Sequence, residues 1–232
     1  MGYSRNLLPD PLPTGEALDG MLAGIGCAVA ATPLRDANIE DALIGAVAAG
    51  MEYDDLRRLG LAVQWIGAHA RAINVDRLAR AVPGLPGVRS RACWAAVARW
   101  QSADRRWARL AVLPDAAELL RTGNAFHMRR RGADPRFAGT GFQVPAGSLR
   151  DRPGDVLPAA DLARWHHGYF HRILLGPSYR ADMWAIAERE RTLGASALAR
   201  RAYGSFATAW QVRQDMALLH DGRPHRSPAD AG

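Results

Sequence analysis

The chain has 232 residues, with 30 arginines, no lysine, 23 acidic residues and a formal net charge of +7. Its hydrophobic fraction of 48% suffices for a buried core, which excludes a disordered chain, and its length suits one large or two small domains. The positive balance favours phosphate polymers or acidic partners, but the absence of lysine marks a compositional bias, so arginine number alone argues no site.

Cys27 and Cys93 have neither the spacing of metal ligands nor the number of a disulfide framework, so two free thiols in a reducing compartment are expected. Met21 to Ala31 is apolar but too short for a membrane span and is interrupted by glycine. Asp10, Glu16 and Asp19 precede it, which is unlike a signal peptide. The sequence therefore predicts a soluble cytoplasmic protein with no membrane partner.

Residues 1–14, with prolines at 9, 11 and 13, read as a flexible arm. Residues 15–121 read as a helical domain. Gly15 to Ala31 suits a buried helix; its Gly24-Ile25-Gly26 lacks the third small residue and the preceding strand of a dinucleotide loop. Asn38 caps a helix that begins Ile39-Glu40-Asp41 and runs to Ala49, with Gly50 expected to stop it. Tyr53 to Ala72 is a longer helix with Leu56, Leu59, Val63, Ile66 and Ala70 on one stripe. Trp65 and His69 share a neighbouring face as packing residues. Asn74 caps a short helix from Val75 to Val82. Pro83-Gly84-Leu85-Pro86-Gly87 is a break, and Val88 to Gln101 is helical with Trp94, Val97 and Trp100 in period. Arg77, Arg80, Arg89, Arg91 and Arg99 surround this pair, a weaker outline of a DNA-binding unit whose expected role is core packing. Short helices are expected from Ser102 or Asp104 to Leu110, and from Pro114 to Arg121.

Residues 122–158 read as a short β and loop insertion. Phe126 to Arg131 has no helical stripe, Gly132 to Pro135 is a turn, and Phe142-Gln143-Val144 lies between glycine-rich bends. Two or three short strands, arranged as a hairpin, are expected. On a strand Arg129, Arg130 and Arg131 alternate sides, so at most two share a face that could follow a phosphate backbone. The competing reading is a solvated arginine run beside a turn.

Residues 159–219 read as helical. Helices are expected from Ala159 to Arg172 and from Ala181 to Arg191, with Pro177 between them. His167 and His171 are four apart, the spacing of two zinc ligands on one helix face. Asp161 and His127 are the conceivable further ligands and nothing places them, so no metal is expected at His166, His167 and His171. Asp54-Asp55 and Glu188-x-Glu190 read as solvated acidic pairs. No nucleophile elbow, phosphate loop or kinase signature is present, so no catalytic residue and no cofactor is assigned.

The strongest local signal is Ala195 to Leu219. Ala195 to Ala202 forms one helix, Tyr203-Gly204-Ser205 a turn with Gly204 free to take a positive φ, and Ser205 caps a second helix that turns Ala209 and Val212 inward. Leu198, Ala199, Ser205, Ala207, Thr208 and Trp210 stand at the offsets of bacterial helix-turn-helix DNA-binding regulators, which residues 195–219 resemble. The stretch departs from them at Tyr203, where glycine is usual. The resemblance implies that the second helix enters the major groove by its N-terminal end. The candidate nucleic-acid-binding residues are Arg200, Arg201, Ser205, Phe206, Thr208, Gln211 and Arg213, joined by Arg129, Arg130 and Arg131. Phe206, Thr208 and Gln211 are assigned to base edges, and Arg200, Arg201 and Arg213 to phosphates. Residues 220–232 read as a flexible tail.

The expected fold is thus mainly α with a small β-hairpin insertion: a helical bundle plus a helix-turn-helix, with a winged form open. The expected function is a DNA-binding transcriptional regulator of the antitoxin or autorepressor type. Its partners would be double-stranded DNA, a protein encoded nearby, or a second copy of the chain. The alternative is a protein-interaction module that neutralises an acidic partner through arginines. A third reading is an enzyme with an unrecognised site.

Overall fold

A computed structural model describes residues 7–221. The expected arm and tail therefore lie partly outside the described residues, at 1–6 and 222–232. Within them the chain is mainly helical, and no helix is long and apolar enough to cross a membrane.

The first half wraps around α2 (Ile39–Tyr53), buried along almost its whole length. A helix apolar all round belongs in a core, and α2 packs against α1 (Gly15–Gly24), α3 (Leu56–His69) and α5 (Val88–Trp100). Asn38 caps α2 by accepting from the Asp41 amide at 3.2 Å. Gly50 does not end the helix as expected; Asp54, at φ 58°, forms the C-cap. The glycine serves close packing instead. A Cβ at Gly50 would stand 2.4 Å from the Leu59 Cβ on α3, so only glycine lets the two helices approach this closely.

On α3, Leu59, Val63, Ile66, Trp65 and His69 are buried, and Leu56 and Ala70 are half-buried at the ends of the stripe. Asn74 caps α4 (Val75–Ala81) through the Arg77 amide. Trp94 is fully buried on α5, whereas Trp100 is half-buried at the helix end. A 3-10 turn at Arg105–Trp107 leads into α6 (Ala108–Ala111). Leu7, Leu8 and Leu12 pack on this core, so residues 7–14 lie against the body.

The insertion differs from its sequence reading. Pro114 to Arg121 is not a helix but carries β1 (Ala117–Glu118), which pairs in parallel with β2 (Phe142–Gln143). Parallel strands need a crossover, so these two form neither a hairpin nor a wing. The crossover contains α7 (Asn124–Arg131), where strand was expected. Met and Arg are good helix formers, three arginines suit the negative C-terminal end, and Gly132 at φ 75° stops the helix. No apolar stripe announces α7, because Asn124 is its one buried residue.

The second half contains α8 (Ala159–Trp165), α9 (His167–Leu175), α10 (Tyr179–Arg189), α11 (Ala195–Arg201) and α12 (Phe206–Asp221). The single helix expected over Ala159 to Arg172 breaks at His166, whose extended backbone and Nδ1, accepting from the Tyr169 amide at 2.9 Å, cap α9. Helices α10, α11 and α12 enclose a second small core of Met183, Ala187, Leu198, Ala199, Ala202, Ala209, Val212 and Met216.

Buried charge joins this unit to the body. The Arg172 guanidinium on α9 is held by Glu40 of α2 at 2.6 and 2.7 Å, by Asp182 of α10 at 2.7 and 2.9 Å, and by the Ala72 carbonyl at 3.0 Å. Arg77 on α4 pairs with Asp41. All five of these charged groups are buried. Burial pushes the Glu40 carboxyl up, but the charges and hydrogen bonds of Arg172 and Arg77 outweigh it and hold Glu40 below the usual range. For Asp182 burial prevails and the carboxyl is raised.

Candidate nucleic-acid interface

Helices α11 and α12 are joined by a tight turn at Ala202 to Ser205. Tyr203, rather than Gly204, takes the left-handed conformation, at φ 56°. Gly204 is required for room: a Cβ there would stand 2.2 Å from Met183 Cε and 3.1 Å from Tyr179 Cβ. The Gly204 amide returns to the Ala199 carbonyl at 2.9 Å, closing the end of α11.

Ser205 caps α12. Its Oγ accepts from the Thr208 amide at 3.0 Å and lies 2.7 Å from the Thr208 hydroxyl. Ser205 and Thr208 are both half-buried, and their hydroxyls are engaged with each other. Ala209, Val212 and Met216 face inward, toward α10 and α11.

The opposite face of α12 is open. Phe206 is 57% exposed and Trp210 50% exposed, and Ala207, Gln211 and Gln214 are exposed beside them. The Gln211 amide donates to Asp215 at 2.9 Å, and Arg180 pairs with the same carboxylate at 2.7 Å. Arg200 is exposed and makes no ion pair among the described residues. Arg201 is also exposed but is paired with Glu190. Arg213 is half-buried.

Arg129, Arg130 and Arg131 are exposed on α7 and spread around a helical turn instead of alternating along a strand. Asn124 anchors α7 beside the small sheet, accepting from the Leu120 amide at 3.2 Å and donating to the Gln143 carbonyl at 3.3 Å. Helices α11 and α12 pack instead on each other and on α10. The structure therefore brings Arg200, Arg201, Ser205, Phe206, Thr208, Gln211 and Arg213 into one unit and anchors the three consecutive arginines elsewhere.

Sequence reasoning missed the residues that aim this unit. Tyr203 Oη donates to Asp41 Oδ2 at 3.0 Å, and the Arg77 guanidinium carbon lies 3.5 Å from the Tyr203 ring centroid. Burial, and then the Asp41 charge, push the Tyr203 hydroxyl up to about 12, so it remains a donor at neutral pH. The departure of Tyr203 from glycine was the one legible hint.

A cavity of about 470 Å³ opens between residues 34–41 and α10. Its charged lining is largely self-paired: Arg172 with Glu40 and Asp182, Arg189 with Asp36, and Arg201 with Glu190. No protein family, curated protein or solved structure matches this chain.

Proposed function

We propose that α11 and α12 form a DNA-reading helix-turn-helix and that the protein is a DNA-binding transcriptional regulator. The observation that carries this reading is the orientation of α12: its inward side packs on α10 and α11, while the outer side of its first two turns, with Phe206, Ala207, Trp210 and Gln211, is open to solvent. A recognition helix needs that exposure, because it enters the major groove N-terminal end first. Arg200 at the end of α11 and Arg213 on α12 supply positive charge at the flanks, where phosphates would lie.

The test is a mobility-shift series on the DNA upstream of the protein's own gene, the natural operator of an autorepressor, against scrambled DNA of equal length. Affinity should favour the native sequence and fall steeply with salt, by counterion release. Equal affinity for both, or no shift at low salt, overturns the reading.

A second reading rests on the chemistry of the same face. Phe206 and Trp210, four residues apart on α12, are both exposed, an apolar pair that a phosphate-tracking surface does not require. It favours a protein contact, either a partner or a second copy of this chain. Self-association by equilibrium sedimentation that is lost in Trp210→Ala would support the second copy.

A further inference from the structure

The fold brings a third ligand to the two histidines that the sequence left as a pair. His167 and His171 lie one turn apart on α9, and Glu188 reaches them from α10. His167 Nε2 stands 2.9 Å from Glu188 Oε2, and His171 Nε2 stands 3.2 Å from Glu188 Oε1. One atom from each residue falls within 4.8 Å of the other two. We propose that His167, His171 and Glu188 form a site for a divalent transition metal, zinc in the first place, which clamps α9 to α10.

The hydrogen bonding of His171 carries the inference. Its Nδ1 lies 3.1 Å from the His167 carbonyl. A carbonyl oxygen only accepts, so Nδ1 holds the proton and the neutral ring presents a bare lone pair at Nε2. That lone pair faces a carboxylate oxygen, which also only accepts. Two acceptors this close need a cation between them, either a proton or a metal ion. One added proton on His171, with the neutral His167 ring donating its Nε2–H, satisfies both contacts; a divalent ion replaces those two protons and holds all three groups at once. Zinc bonds of about 2.0–2.2 Å at a tetrahedral angle place neighbouring ligand atoms roughly 3.3–3.6 Å apart, so an ion would draw together three ligand atoms that already lie within 4.8 Å of one another. The Nδ1–carbonyl bond is also the outer contact that fixes the ring of a metal-bound histidine.

The donor set selects the metal. Two imidazoles and a carboxylate suit zinc and its first-row neighbours, whereas magnesium and calcium prefer oxygen throughout and copper(I) prefers sulfur. His171 is buried while His167 and Glu188 are partly open to solvent, which leaves room for water as a fourth ligand. Because α9 carries Arg172 into the body and α10 begins the unit of α11 and α12, an ion here would tie the two together. The site stands independently of the DNA-binding reading.

The experiment uses the full chain, freed of any affinity tag and stripped with a chelator. Titration with zinc chloride by calorimetry should show one tight equivalent. Cobalt(II) in its place should give the visible absorption of a four-coordinate site with nitrogen and oxygen donors and no thiolate charge-transfer band. Outer contacts of metal ligands contribute 10–100-fold, so losing a ligand in His171→Ala or Glu188→Gln should weaken zinc binding by at least about 100-fold. Circular dichroism checks that each variant folds; should His171→Ala fail, His167→Ala, at a more exposed ring, takes its place. No binding by the wild-type chain, zinc affinity unchanged in Glu188→Gln and His167→Ala, or a thiolate band with cobalt overturns the proposal.

Discussion

The Arg77 guanidinium stacks on the Tyr203 ring, with its central carbon 3.5 Å from the ring centroid, while the tyrosine hydroxyl donates to Asp41. A residue in the tight turn between α11 and α12 is thereby fixed to α2 and α4 of the body. The contact explains why a tyrosine occupies a left-handed position that glycine would adopt freely. Left-handed strain costs roughly 1–2 kcal/mol. A hydrogen bond to a charged group contributes about 1.5–3 kcal/mol, and a partly desolvated cation–π pair about 1–2 kcal/mol. The contacts outweigh the strain. Tyr203→Gly should therefore destabilise the protein by about 1–3 kcal/mol despite relieving φ, and Tyr203→Phe by about 1–2 kcal/mol, as read by urea denaturation. A Tyr203→Gly variant as stable as wild type would show that the turn, not the contact, sets the orientation.

Arg172 is the only guanidinium bonded to both Glu40 and Asp182 among the described residues. Arg172→Met would leave the buried Asp182 without its hydrogen-bonded cation and Glu40 with Arg77 alone, 3.8 Å away, and breaking a buried pair from one side costs about 3–5 kcal/mol. Adding Glu40→Met and Asp182→Leu to the same chain removes the stranded charges, so the triple variant should recover much of the loss. Chemical denaturation of the single and triple variants measures this; a triple variant weaker than the single one would contradict it.

His166 makes stability fall in acid. Burial is the main cause that pushes its imidazole down to about 4; the Ala37 carbonyl opposes this and the Arg172 charge adds to it. Its Nδ1 accepts from the Tyr169 amide, so protonation would also destroy the cap of α9. The unfolded ring binds its proton near pH 6.5 and the folded ring only near 4. Between those values the unfolded state holds more protons, so stability is complete above about 6.5 and declines as pH drops toward 4. The decline attributable to His166 is up to about 3 kcal/mol by this linkage. His69, also lowered chiefly by burial, acts in the same direction. His166→Asn, which keeps a side-chain acceptor at the cap, should flatten the pH dependence in this window. An unchanged slope would mean that other groups control it.

The arginines beside α12 should differ on DNA. Arg200 has no carboxylate partner among the described residues, whereas Arg201 is paired with Glu190. Arg200→Ala should lower affinity for every sequence and reduce the salt slope by about one unit. Glu190→Gln should tighten binding by releasing Arg201. Gln211→Ala should instead relax sequence preference with little effect on the slope. Mobility shifts at several salt concentrations separate these outcomes. Equal behaviour of the Arg200 and Gln211 variants would count against the groove geometry.

What the sequence determined by itself was local. Asn38, Asn74 and Ser205 cap where they were expected to, because a cap joins groups within a few residues of each other. The stripe Leu59, Val63 and Ile66 was legible through helical period, and so was the division of Ala195 to Leu219 into two helices. The tertiary structure decided the rest. Gly50 reads as a stop in the chain but is a contact site because Leu59 of α3 lies against it. Asn124 to Arg131 shows no stripe since α7 lies on the surface with one buried residue. β1 and β2 pair across α7, beyond the reach of a hairpin pattern. His167 and His171 announced their spacing, but Glu188 arrives from another helix. Tyr203 and Asp41 stand 162 positions apart, and their hydrogen bond depends on how α11 and α12 settle on the body. Periodicity and capping are properties of a few consecutive residues, whereas convergence of distant side chains follows only from packing, which no single stretch of sequence encodes.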